Sequence, residues 1–230
     1  MYYYGLDYTY IVLVLPAIIL SLIAQFKVTS TFNRYSKVLS QKGFTGEQIA
    51  RKILSENGLF DVKIEHVRGN LSDHYDPIHK VLRLSDSVYS SMSVAALGVA
   101  AHECGHAIQH AKGYLPLKAR HAVFPIVRFS SALAMPLILI GLIVNTPYLI
   151  SFGIILFSAV VAFQIITLPV EFNASKRAVN ILSDCCFLDD SETRHVKKVL
   201  SAAALTYVAS ALTSVMQLLR LIILSNNRRR

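Results

Sequence analysis

The residues of this chain that most clearly indicate chemistry form a His-Glu-x-x-His pattern at His102, Glu103 and His106. On an α-helix, positions i and i+4 lie on one face, so the two imidazoles can bind a single metal ion. Glu103 is rotated by about 100° from His102, where its carboxylate can reach a water on the metal rather than the metal itself. The pattern therefore predicts a metal-dependent hydrolase with Glu103 as general base.

The ordinary alternative is a hydrogen-bonded pair of core histidines. The surrounding helix is apolar on nearly every face, however, and a buried Glu103 carboxylate is costly unless a positive partner such as a metal ion compensates it. His110 continues the same face, but it lies about 12 Å along the helix from His102, too far for both to bind one ion. We therefore interpret His110 as a residue behind the ligands or at the surface.

A catalytic zinc needs a third protein ligand and an open position for water, and Glu171 is the candidate. Glu171 follows two apolar runs, so an even number of membrane crossings returns it to the same face as His106. In the alternative interpretation, Glu171 is a charge at the start of a helix after Pro169, stabilised by the helix dipole. The donor set fits zinc, and Mn, Co or Fe could occupy it too.

The composition places these residues in a membrane protein. Of 230 residues, 53% are hydrophobic and only 16% are charged, compared with about 25% charged in an ordinary soluble domain. Apolar runs long enough to span a bilayer occur at 10–26, 122–144 and 148–168. A fourth run at 202–224 contains Arg220, so it predicts either a fourth span or an interfacial helix.

Charge and cysteine content indicate where the polar segments lie. Basic residues follow the first span and the hairpin, which predicts a cytoplasmic site and an uncleaved anchor with its N-terminus outside. The net charge of +9 is concentrated beside apolar runs, so anionic lipid explains it better than nucleic acid, for which no motif is present. Cys104 is expected to be a buried inert thiol, Cys185 and Cys186 receive no role, and a reducing compartment is expected.

The expected elements position the pattern. Residues 45–58 predict a helix, 61–67 and 79–84 predict two short strands, and a helix from about Ser91 to Gly113 carries the metal pattern. The predicted organisation is an anchor at 1–26, a cytoplasmic domain at 27–121, a transmembrane hairpin at 122–168, a third-ligand helix and cytoplasmic segment at 169–201, and a C-terminal transmembrane or interfacial helix at 202–230.

Four motifs together resemble the YugP-like neutral zinc metallopeptidases of bacterial membranes: LSDHYDP at 71–77, LRLS at 82–85, VAAHECGHAIQ at 99–109 and LPVEFNAS at 168–175. The resemblance covers nearly the whole chain. It implies a mainly α, multipass plasma-membrane protein whose zincin-like catalytic domain has a short β-sheet and an active-site helix. It also implies a gluzincin-like site in which His102, His106 and Glu171 hold one catalytic Zn²⁺ and Glu103 is the base.

The chain departs from the wider gluzincin pattern at Ser175, where those enzymes often have an acidic residue, so the group that orients a ligand histidine is left open. Zincin resemblance suggests a His or Tyr that stabilises the oxyanion, and the candidates are His74, Tyr75 and Tyr207. It also suggests a substrate-binding edge strand, formed here by His79, Lys80, Val81, Leu82, Arg83 and Leu84. For each of these residues an ordinary surface or core role is an equally good interpretation.

The expected function is therefore an integral membrane zinc endopeptidase that hydrolyses unfolded or membrane polypeptides, with a regulatory membrane partner that opens the site. The main alternative is a non-catalytic zinc-binding scaffold or chaperone in the membrane, and the presence of Glu103 argues against it. A metal transporter is disfavoured because the predicted spans lack acidic and histidine residues.

Overall fold

The computed structural model describes residues 8–228, which fall into two compact units. Within these residues, the apolar unit comprises 8–25, 119–168 and 206–228, and the polar unit comprises 26–118 and 169–205. The first seven residues of the predicted anchor, and 229–230, lie outside the described residues. After a π-helical turn at Tyr10–Val14, the elements are α1 Leu15–Tyr35, α2 Gly46–Glu56, β1 Lys63–Val67, β2 His74–Asp76, β3 Val81–Ser85, α3 Val94–Ala111, α4 Leu115–Ile143, α5 Pro147–Asp184 and α6 Asp190–Arg228.

Four helices of the described chain are long and apolar enough to cross a membrane: Tyr10–Tyr35, Leu115–Ile143, Pro147–Asp184 and Asp190–Asn226. The last of these is the helix for which the sequence left a span and an interfacial position open, and it meets the same criteria of length and composition. The predicted fold class, a mainly α multipass protein with a short sheet, is confirmed.

Small residues let α4 and α5 approach each other closely within the apolar unit. A methyl group at Gly153 would lie 2.9 Å from the carbonyl oxygen of Ala134, closer than a real side chain tolerates. Between α1 and α6, the hydroxyls of Ser21 and Thr213 share a hydrogen bond of 3.0 Å. Close backbone contact and hydroxyl hydrogen bonds are typical of helices that pack in lipid, where burial of apolar surface no longer drives association.

The two shorter helices of the polar unit begin with side-chain caps, of which the sequence predicts the one at Thr45. Thr45 accepts a hydrogen bond from the backbone N–H of Gln48, whose side chain accepts one from Thr45 in return, so α2 starts with a capping box. The hydroxyl of Ser93 caps α3 by accepting from the N–H of Ala96. Gly113, at φ +63°, follows α3 in a left-handed conformation that glycine adopts without strain.

The sheet has the strand order β1-β3-β2, with β3 parallel to β1 and antiparallel to β2. The two predicted strands are present, but the prediction that His79–Leu84 forms a substrate-binding edge strand is wrong. Residues 74–76 fold back and pair with 81–83, while β1 pairs along the other side, so β3 is the central strand and its backbone groups are occupied. The outer strands of the sheet are β1 and β2.

A continuous apolar core fixes α3 in the polar unit. Ile49 and Ile53 of α2, Leu82 and Leu84 of β3 and Leu97 of α3 are all completely buried. Burying one such side chain contributes about 1.5–3 kcal/mol relative to leaving it exposed. The helix that carries the metal pattern therefore has a firmly packed back face.

Candidate metal centre

Helix α3 meets α5 at a glycine inside the His-Glu-x-x-His pattern. A methyl group at Gly105 would lie 2.8 Å from the carbonyl oxygen of Ala174, so only glycine fits without a shift of backbone. This close approach brings the face of α3 with His102 and His106 against the segment of α5 that carries Glu171.

Three side chains converge at this contact. The Nε2 atom of His102 lies 3.3 Å from Oε2 of Glu171, and the Nε2 atom of His106 lies 3.5 Å from the same oxygen. The Glu171 side chain is 3% exposed. Across the described residues, this is the one group of three His, Cys, Asp or Glu side chains whose ligand atoms come within 4.8 Å of one another.

The separation of these atoms fits a zinc ion. In a tetrahedral site with bonds of about 2.0–2.1 Å, two ligand atoms are about 3.3 Å apart. The measured distances from Glu171 to the two histidine nitrogens, 3.3 and 3.5 Å, agree with that spacing. Two imidazoles and one carboxylate also form a donor set of the kind found at catalytic zinc sites.

The structure corrects the alternative interpretation of Glu171 as a charge in the first turn of a helix. Pro169 lies inside α5, which begins at Pro147 and continues to Asp184, and no helix starts near Glu171. The helix dipole acts on charges only in the terminal turns, so it offers this buried carboxylate no stabilisation. The compensation comes instead from the two histidines.

Gln109 fixes the orientation of His106. The amide nitrogen of Gln109 donates to the carbonyl of Val170 at 2.8 Å and to Oδ1 of Asn173 at 3.0 Å. Its oxygen therefore faces Nδ1 of His106, at 3.0 Å, and must accept a hydrogen bond from the N–H at that position. This tautomer leaves the Nε2 lone pair available for a metal. Sequence pattern alone did not identify Gln109 and Asn173, although the position of Gln109 about one turn after His106 was a signal for it.

Ser175 takes the corresponding place beside His102. Its hydroxyl lies 3.2 Å from Nδ1 of His102, and it accepts a hydrogen bond when that nitrogen carries the proton. Ser175 stands where related enzymes often have an acidic residue, and its own hydroxyl contacts the ligand histidine. A neutral hydroxyl polarises the imidazole less than a carboxylate does.

Glu103 is 9% exposed, and among the residues that the structure describes no donor forms a hydrogen bond to its carboxylate.

Burial alone would lower the pKa of His106, but the Glu171 carboxylate that contacts it and the nearby charge of Glu103 raise that pKa above its ordinary value. The pocket therefore has an excess of negative charge and favours a cation.

The candidates for oxyanion stabilisation have other contacts. The phenol of Tyr75 shares a hydrogen bond of 2.9 Å with Nδ1 of His110, and burial together with Asp61 and Asp76 raises the pKa of Tyr75 to about 12. His74 is exposed, with Nδ1 2.9 Å from the carbonyl of Ser72. Tyr207 lies on α6 in the apolar unit. Their catalytic roles stay predictions.

The three cysteines do not contribute to the cluster. Cys104 is buried, its thiol points to the carbonyl of Ala50 at 3.7 Å, and burial raises the pKa of the thiol. Cys185 and Cys186 are exposed free thiols. These positions agree with the expectation of an inert buried thiol at Cys104.

Comparison with known proteins gives the family. A family model described as "Putative neutral zinc metallopeptidase" matches residues 10–226. A curated protein of Bacillus subtilis (strain 168), named "Putative membrane protease YugP", is 53% identical over 220 residues, covering 96% of this chain and 98% of the relative. No solved structure matches. With a family match over almost its whole length, the chain belongs to the "Putative neutral zinc metallopeptidase" family of membrane proteins.

Proposed function

We propose that this protein is an integral membrane zinc endopeptidase that hydrolyses peptide bonds in unfolded or membrane polypeptides. One observation carries the proposal: the ligand atoms of His102, His106 and Glu171 converge within 4.8 Å of one another, beside a buried Glu103 carboxylate that accepts no hydrogen bond in the described chain. Membership of the metallopeptidase family supports it.

The ligands would be Nε2 of His102, Nε2 of His106 and a carboxylate oxygen of Glu171. When bound, zinc lowers the pKa of a water to about 7 and polarises the scissile carbonyl. Gln109 keeps the proton of the His106 imidazole on Nδ1, and Ser175 would accept the same bond from Nδ1 of His102, so that both Nε2 lone pairs are directed at the site.

Glu103 would act as general base and then as general acid. Because no described residue donates a hydrogen bond to its carboxylate, Glu103 can take a proton from the attacking water and hold it on one oxygen. It then delivers this proton to the leaving amine, which completes hydrolysis and returns the carboxylate to its starting state. A protein that only binds zinc has no use for such a group.

An extended substrate needs a free strand edge, and we propose β2 for this role in place of β3. β2 is an edge of the sheet, and Tyr75 joins it to α3 through the hydrogen bond to His110. The distribution of basic residues supports a cytoplasmic site in the plasma membrane. A regulatory membrane partner that controls access to the site completes the proposal.

The test is cleavage of an unfolded, fluorescently labelled casein by the detergent-purified full chain. We expect cleavage by the wild type, loss of cleavage on chelation and recovery on addition of zinc. Glu103→Gln should lower the rate of cleavage by a factor of about 10²–10⁴. The control, Glu56→Gln, changes an exposed carboxylate on α2 and should cleave at the wild-type rate. A folded, zinc-loaded wild type without cleavage would contradict the proposal and favour a zinc-binding scaffold.

A further inference from the structure

A second cluster of charge lies in the polar unit, between the end of α1 and the start of α6. The cavity there has a volume of ≈ 530 Å³, within the range of sites that bind small molecules. Its positively charged lining residues are Lys27 and Arg34 from α1, and Arg194, Lys197 and Lys198 from α6. The cavity has no acidic lining residue, and we call it the basic cleft.

Among the described residues, no carboxylate oxygen lies within 4.0 Å of a side-chain nitrogen of the five cations of the basic cleft. Asp189 is an acidic neighbour beyond ion-pair distance: its pKa is lowered mainly by the backbone N–H of Glu192 and to a smaller extent by the charge of Arg194. The carboxylates of Glu192 and Asp189 also have other contacts, since Glu192 accepts from the backbone of Gln41 and Asp189 accepts from the Gln41 side chain. Like charges held this close repel one another, and a bound anion would relieve that repulsion.

One cation of the lining also lies beside an aromatic ring. The guanidinium of Arg34 is exposed and lies 5.6 Å from the centre of the Tyr35 ring, and Tyr35 stacks on His195 with ring centres 4.7 Å apart. The planar fork of a guanidinium matches the geometry of phosphate oxygens.

The two helices that line the basic cleft, α1 and α6, each pass from basic to uncharged sequence next to the cleft. Lys27 is the first charged residue after the apolar run at 10–26, and Lys198 is the last before the uncharged stretch at 199–219. In a membrane protein such transitions occur at the level of the lipid headgroups.

We propose that the basic cleft binds the phosphate-bearing headgroup of an anionic phospholipid. Soluble phosphate shares the relevant chemistry, but the transition to apolar helix beside the cations also provides for acyl chains, which favours a lipid. The site is distinct from the metal centre and does not depend on the protein being a hydrolase.

The experiment is native mass spectrometry of the full chain in a neutral detergent, with dihexanoyl phosphatidylglycerol, dihexanoyl phosphatidylcholine and inorganic phosphate as probes. We expect one phosphatidylglycerol to be retained, phosphatidylcholine to bind at least about tenfold more weakly, and inorganic phosphate not to displace the lipid at equal concentration. The double variant Arg194→Gln/Lys197→Gln should weaken phosphatidylglycerol binding by about tenfold or more.

The matched control is Lys63→Gln/Arg68→Gln, which removes the same charge from exposed positions outside the basic cleft and should bind like the wild type. Lys198→Gln is a milder second variant, and thermal unfolding establishes that each variant is folded. Equal binding of both lipids, or an equal loss in the control, would overturn the proposal. Displacement by inorganic phosphate would assign the basic cleft to a soluble anion and overturn the assignment to lipid.

Discussion

In the metal centre each ligand histidine is held by another side chain, whereas no carboxylate oxygen of the described residues lies within 4.0 Å of the cations of the basic cleft. The difference follows from burial. Glu171 and Gln109 are almost completely shielded from water, where an unpaired polar group costs a large part of its hydration free energy. Arg194, Lys197 and Lys198 are exposed, so water supports their charges. Substitutions at the metal centre should therefore alter metal binding and stability. Substitutions in the basic cleft should have a measurable effect only when an anion is present.

The largest expected effect comes from removing a ligand. His106→Ala should leave the purified protein without stoichiometric zinc and reduce hydrolysis to background, because only two of the three converging groups remain. Elemental analysis and the casein assay measure the two quantities. His66→Ala, at an exposed histidine on β1, is the control and should retain both. Full zinc content in His106→Ala would show that the metal lies elsewhere.

A smaller effect is expected from the residues that orient the ligands. Gln109→Leu should lower zinc affinity by about 10–100-fold, because it removes the acceptor that sets the tautomer of His106. Ser175→Ala should cost less, since its contact with His102 is longer, at 3.2 Å, and involves a neutral hydroxyl. Competition with a zinc-binding dye gives both affinities. A larger loss for Ser175→Ala than for Gln109→Leu would reverse the ranking that the geometry predicts.

The contact between α3 and α5 can be tested by adding one methyl group. Gly105→Ala should lower the free energy of unfolding by about 1–3 kcal/mol, because the new carbon meets the backbone carbonyl of Ala174. At Gly98 the added carbon would meet a methyl group of Val196 at 3.0 Å, which can give way more easily than backbone. Gly98→Ala is thus the matched control and should cost less. Equal denaturant midpoints for the two variants would argue against the close approach.

The smallest effect at the metal centre should come from the basic cleft. Arg194→Gln/Lys197→Gln should keep the zinc content of the wild type and its rate of casein cleavage in neutral detergent within about a factor of two, as is usual for changes at exposed positions. The same preparations serve for the lipid experiment. A loss of zinc in this variant would mean that the basic cleft and the metal centre are coupled, whereas we expect them to be independent.

Much of this arrangement could be predicted from the sequence because it depends on local pattern. The cap at Thr45 and the apolar runs identify helices directly, and the spacing of His102 and His106 is meaningful on any α-helix. Glu171 became a candidate through the parity of membrane crossings, and the structure brings it to the two histidines.

What sequence pattern could not predict depends on long-range pairing. β2 has only three residues, too few for an alternating pattern, so the segment at 79–84 was assigned to an edge although its strand is central. Gln109 looked like any polar residue at the end of a helix until α5 supplied the carbonyl of Val170. The basic cleft likewise requires α1 and α6 to meet, although they are far apart in sequence.

The central claim is that one zinc ion, held by His102, His106 and Glu171, serves a reaction in which Glu103 moves the proton. The most direct test measures bound zinc and casein cleavage together in the wild type, Glu103→Gln and Glu171→Gln. We expect one zinc in the wild type and in Glu103→Gln, cleavage by the wild type alone, and neither property in Glu171→Gln. Cleavage by Glu103→Gln at the wild-type rate, or full zinc content in Glu171→Gln, would contradict it.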